Sequence, residues 1–187
     1  MLFASMGNTR LAGFSGVLLL PLLLTVSTTE AAPTSTATLS QNRTMLAAAA
    51  AGNKALFGGG FFTATQALSR VVDIYDVSTG MWSTALLSQA RYSLAAAGAG
   101  NNVLFAGGWY DFSGSVPGAS NVVDIYDVVT GGWSTSALSQ ARAQLTAVSV
   151  GTKILFAGGF YQTASGPVNS AVVDIYDTST RTWSTSQ

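Results

Sequence analysis

The chain has 187 residues, 48% of them apolar and 9% charged, and its eight basic and eight acidic residues cancel to a net charge of zero. So few cations argue against a nucleic-acid binder, which needs clustered Lys and Arg to displace phosphate counterions. With no histidine and no cysteine, zinc fingers, haem or iron–sulfur ligation, disulfides and Ser-His-Asp or Cys-His nucleophilic sites are excluded as well.

Residues 1–10 form a short head with one cation, Arg10, and residues 11–26 are an apolar run interrupted by Pro21. A small, polar stretch follows at 27–32. That order is the pattern of a secretory signal peptide. The run is shorter than the roughly 20 residues a helix needs to span a bilayer. The expectation is a signal peptide over residues 1–31, a secreted or periplasmic remainder, and no membrane association beyond the signal. An exported chain without cysteine has no disulfide staples, so packing and hydrogen bonds must stabilise it.

Residues 34–187 read as three copies of one unit, at about 40–84, 88–135 and 139–185. Each copy opens on a Leu-Ser-Gln-x-Arg segment ending at Arg43, Arg91 or Arg142. A small apolar strand is expected next, at 45–51, 94–99 and 145–150, then a Gly or Asn turn. A second apolar strand runs into a glycine doublet, read as Gly58-Gly59, Gly107-Gly108 and Gly158-Gly159. Aromatic pairs follow: Phe61-Phe62, Trp109-Tyr110 and Phe160-Tyr161. The third strand is the β-branched run Val-Val-Asp-Ile-Tyr, with Tyr75, Tyr126 and Tyr176 spaced 51 and 50 residues apart. The fourth holds Trp82, Trp133 and Trp183, each seven residues after its Tyr. An Asp…Gly hairpin turn joins the last two strands. Arg181 replaces the closing Gly80 and Gly131, so that turn must strain or change shape. Four strands at a period near 50 residues predict a propeller blade.

The glycine doublet, the Tyr and the following Trp resemble the kelch motif, over about residues 40–187. The resemblance implies an all-β fold of kelch-type β-propeller blades: three four-stranded antiparallel blades forming an incomplete ring. Propellers typically close with 4–8 blades. Three ways of completing the arc stay open: a fragment of a larger product, self-association of two or more chains, or a stable three-blade monomer. The Tyr and Trp residues are expected to be buried between blades. Trp183 is expected to matter least, because its blade lacks a following neighbour.

The resemblance places the loops after strand two and before strand one on one face, where kelch propellers often bind partners. The candidate ligand-binding residues are Trp109, Tyr110 and Asp111, the pairs Phe61-Phe62 and Phe160-Tyr161, and Tyr92, Ser93 and Gln144. Aromatic faces bury large area at low entropy cost, which suits recognition, although packing between blades would use the same rings. Asp111 is the one acid outside the repeat pattern after residue 31. Asp73, Asp124 and Asp174, repeated like the arginines, read as structural partners for them. Asn42-Arg43-Thr44 is a glycosylation sequon. Kelch-type copper-radical sugar oxidases need His ligands and a Cys-linked Tyr, which this chain lacks. The reading is therefore a secreted, non-catalytic binding module for a protein or carbohydrate partner, without cofactor or metal. The alternative is a fragment of a larger galactose-oxidase-like propeller, including a sugar-acting enzyme.

Overall fold

The computed structural model describes residues 36–111 and 118–186. The expected signal peptide at 1–31 and the tip of the middle loop at 112–117 lie outside the described residues. Three four-stranded antiparallel sheets make up the fold. The first contains Ala47–Ala51, Lys54–Gly58, Val71–Asp76 and Met81–Leu86. The second contains Ala95–Ala99, Asn102–Ala106, Val122–Asp127 and Trp133–Ala137. The third contains Thr146–Val150, Lys153–Ala157, Val173–Asp177 and Thr182–Ser186. Spatial order follows chain order in each sheet, which is the up-and-down blade of a propeller.

The innermost strands are built of small residues because neighbouring blades converge there. A Cβ added at Gly98 would stand 2.1 Å from the Ala50 carbonyl oxygen. The alanine run at Ala47–Ala51 therefore packs as a strand, although alanine favours helix intrinsically. Further out, strand alternation gives each blade two apolar faces. Leu56, Val72 and Ile74 of the first blade meet Val103, Phe105, Tyr126 and Trp133 of the second. Leu104, Val123 and Ile125 of the second meet Ile154, Phe156, Tyr176 and Trp183 of the third. Each fully buried side chain in these layers contributes about 1.5–3 kcal/mol.

Two expectations need correction, and one open alternative is decided. The Trp face of a blade turns towards the blade before it, so Trp183 packs against the middle blade. Among the described residues Trp82 is the repeat indole with no preceding blade over it, and it is 39% exposed. Secondly, the left-handed glycines of the first blade are Gly59 and Gly60, with φ of 72° and 118°, equivalent to Gly107-Gly108 and Gly158-Gly159. Gly58 is the last residue of a strand; a Cβ there would lie 2.8 Å from the Phe105 ring. Of the two outcomes expected for the third turn, strain or a change of shape, it takes the first: Arg181 adopts the left-handed conformation itself, at φ 59°. Its N–H donates to the Asp177 carbonyl at 2.7 Å, as Gly80 and Gly131 donate to Asp76 and Asp127. The turn keeps its shape.

Candidate functional site

The loop-bearing edge of the blades is anchored from below by the repeated arginines. Arg43 donates to the Asp73 carboxylate at 2.8 Å, Arg142 to Asp174 at 2.5 Å, and Arg91 to Asp124. All three guanidinium groups are cut off from solvent. They also donate to main-chain carbonyls at the base of the loops: Arg91 to Gly107 and Val122, Arg142 to Gly158 and Val172. Each Asp accepts a further bond from the N–H of Ser40, Ser88 or Ser139. Burial pushes the Asp73 carboxyl up, but the bonds from Ser40 and Arg43 outweigh it and hold it below its ordinary value. These pairs fix the loop bases and leave neither charge facing a ligand.

Above them, three short hairpins carry the aromatic pairs. Phe61–Phe62 pairs with Ala67–Leu68, Trp109–Asp111 with Gly118–Ala119, and Phe160–Thr163 with Gly166–Asn169. The two members of each pair have separate fates, because successive strand residues point to opposite sides. Trp109 is 6% exposed and Tyr92 9%. The two exchange backbone hydrogen bonds of 2.9 and 3.1 Å. Together with Ala143 they form a small core, against which Phe61, Leu68, Ala119 and Phe160 pack. Trp109 therefore lies in the core and not on the loop surface; Phe61 and Phe160 are half-buried in the same layer. The second aromatics look outward: Tyr110 is 44% exposed, and Phe62 and Tyr161 are half-buried.

Tyr110 and Tyr161, from adjacent blades, flank an open cleft of about 400 Å³. Gln140 and Gln162 contribute its amides, and Gly118 and Ala119 part of its wall. A Cβ on Gly118 would lie 2.7 Å from the Tyr110 ring, so glycine lets that ring lie across the hairpin. Gln140 is oriented by the Ser170 hydroxyl, which donates to its Oε1 at 2.6 Å. Tyrosine faces and amides at this spacing suit a ligand with hydroxyl or amide groups and a flat apolar side.

The remaining candidates are placed differently. Asp111 pairs with Gly118 across the middle hairpin and is half-buried. Ser93 and Gln144 take left-handed φ angles of 51° and 55° and serve as backbone staples between blades. The Ser93 N–H donates to the Met45 carbonyl, and the Gln144 N–H to the Ser93 carbonyl, both at 2.9 Å. Asn42 is exposed. It lies with Gln41, Thr44, Phe61 and Thr63 in a second cleft, of about 480 Å³, at the open side of the first blade. Sequence reasoning misses Gln140 and Gln162 as site residues. The recurrence of Gln41, Gln89 and Gln140 in the Leu-Ser-Gln segments marked the first; Gln162 belongs to one copy only and carried no signal.

Four-stranded blades, left-handed glycine doublets and paired Tyr and Trp rings define three blades of a kelch-type β-propeller. Comparison with known proteins agrees. Residues 141–186 match the family model described as the Kelch motif. The solved structure of YjhT superposes with a TM-score of 0.63 at 19% identity, over 80% of this chain and 47% of YjhT. That likeness is one of fold, and this chain spans about half the length of the protein it matches. No curated protein matches the chain.

Proposed function

We propose that the chain is an exported, non-catalytic recognition module that binds a glycan or protein partner in the cleft between the loops of its second and third blades. The observation that carries this reading is the pairing of Tyr110 and Tyr161 across that cleft, with Gln140 and Gln162 between them. Binding is favoured over turnover because the six repeated acids are committed: Asp73, Asp124 and Asp174 to buried arginines, Asp76 and Asp177 to lysines, and Asp127 to the N–H groups of Val129 and Thr130. The chain also lacks His and Cys to act as base or nucleophile.

Glycan-array and pull-down measurements on the wild type and on Tyr110→Ala and Tyr161→Ala test the site. Both variants remove rings from the surface and are expected to fold, while losing at least tenfold in affinity, the order expected of interface aromatics. Retained affinity in both would overturn the cleft as the site. Export follows from the composition of residues 1–32, and N-terminal sequencing of material from the medium or periplasm tests it. Cleavage near residue 31 is expected; an intact Met1 on cytosolic protein refutes it.

A further inference from the structure

Every junction between blades is closed by the same set of groups, and the two ends of the arc present the two halves of that set unjoined. At the first junction the Gly60 N–H donates to the Arg91 carbonyl, the Arg91 N–H to Ser69, and the Ser93 N–H to Met45. At the second, Gly108 donates to Arg142, Arg142 to Ser120, and Gln144 to Ser93. Continuing the series, Gly159 would donate to Arg43, Arg43 to Ser170, and Met45 to Gln144. None of these three bonds forms among the described residues.

The side chains show the same vacancy. A Cβ at Gly59 or Gly107 would collide with the carbonyl of Arg91 or Arg142, at 2.6 and 2.5 Å, and with Leu94 or Leu145. At Gly158 the nearest atom is the Ser170 oxygen, 4.0 Å away. Leu56 and Leu104 are fully buried, whereas Leu155 is only half so. Val148 and Val150 are 59% and 66% exposed, where Ala97 and Ala99 are each 8% exposed. Facing the other way, Trp82 is 39% exposed and Phe57 half-buried, against complete burial of Phe105 and Phe156.

We propose that these two surfaces dock on a second copy of this chain. The third blade of each copy packs on the first blade of the other, and two copies close a ring of six blades. Six lies within the 4–8 blades of closed propellers. Docking places Arg43 and Leu46 of one copy over Gly158 of the other. It continues the two interfaces already present, using the same donors, acceptors and apolar residues. Two junctions then form at once, which raises avidity over either alone. Closure also completes the open cleft at Gln41, Asn42 and Phe61, because the Phe160–Thr163 hairpin of the other copy takes the place that Tyr110 holds beside Gln140. The ring thus carries two further inter-blade clefts. This inference stands apart from ligand binding at Tyr110, which needs one copy only.

The test is the mass of the full chain in solution, by light scattering and sedimentation across a concentration series. The wild type is expected at twice the single-chain mass. Gly158→Ala and Gly80→Ala form the decisive pair. Both glycines are left-handed, at φ 68° and 69°, and neither has a crowding neighbour within the chain. The two substitutions share the local strain, but Gly80 lies off the proposed junction: a Cβ at its equivalent in the middle blade, Gly131, would meet only Tyr126 of its own blade. Gly80→Ala is expected to remain dimeric, and Gly158→Ala to raise the dissociation constant roughly tenfold or more while keeping a comparable melting profile. Trp82→Arg, at the surface of the opposite face, is expected to dissociate the pair also. A wild type that stays monomeric at all concentrations, oligomers of unlimited mass, or equal behaviour of the two glycine variants overturns the proposal.

Discussion

Tyr126 and Trp133 stand opposite each other in the register of the middle blade, their ring centroids 4.9 Å apart. Tyr75 and Trp82 keep the same relationship in the first blade at 5.0 Å, but of these two pairs it is the middle one that a preceding blade covers. The geometry of the pair is thus internal to a blade, while its burial depends on the neighbour. Trp133→Ala is expected to cost about 3–5 kcal/mol, the range for a large core aromatic. Trp82→Ala should cost less than half of that in dilute solution. Denaturant melts of the two variants decide, and equal losses would contradict the packing order.

Removing one partner of a buried ion pair leaves the other charged and unsolvated. Arg142→Ala strands the Asp174 carboxylate and three loop hydrogen bonds, and is expected to cost about 3–5 kcal/mol. The double variant Arg142→Met, Asp174→Leu should recover part of the loss, because no lone charge remains. A double variant less stable than Arg142→Ala alone would show that the arginine acts mainly through its carbonyl acceptors.

Arg181 holds a left-handed conformation that costs a non-glycine residue about 1–2 kcal/mol, against about 0.5–1 kcal/mol for the extra freedom of an unfolded glycine. Arg181→Gly is therefore expected to raise stability by roughly 0.5–1 kcal/mol, visible as a higher denaturation midpoint. Gly80→Arg, with open space around it, should lower stability by a similar amount.

Acid should destabilise the blades through their turns. The Lys54 ammonium, 2.6 Å away, and the Ser78 hydroxyl hold Asp76 down to about 2, below its ordinary 3.8. Lys153 and Ser179 hold Asp177 well below the carboxylate range, and the N–H groups of Thr130 and Val129 lower Asp127. A depressed folded-state value means that the charged form favours folding. The stability from these groups is complete above the unfolded value near 3.8 and is lost as pH falls towards 2. Denaturant midpoints measured from pH 7 downward should stay flat and then drop in that window. Asp76→Asn should lower the plateau and soften the drop; an unchanged profile would remove Asp76 from the account.

Much of the blade was legible in the sequence because its determinants are local and repeated. The β-branched third strand and the Tyr and Trp seven residues apart each recur three times, and the Asp…Gly turn twice, with Arg181 in place of the third glycine. The direction in which blades stack was not legible. Strand alternation tells which residues share a face, but not whether that face looks forward or back along the chain, and so Trp82 and Trp183 exchanged places. The first-blade doublet was misread because three glycines in a row hide which of them takes left-handed angles. At the loop face, the sequence marked the aromatic pairs but could not divide them. Trp109 and Tyr110 differ only by the side of a short hairpin on which each falls, and the hairpin's register depends on Gly118, nine residues on.

The staples between blades are formed by main-chain atoms, among them those at positions 45, 93 and 144, occupied by Met, Ser and Gln, whereas the side chain of each arginine bonds within its own blade. These staples are therefore indifferent to side-chain identity at the three positions that form them. An in-frame tandem duplication of one repeat length, begun at any of the turns, would deliver a module that already carries its internal anchor and both seam surfaces. Such an architecture lengthens by copying, without the coordinated second-site changes that an added strand would demand of a single closed sheet.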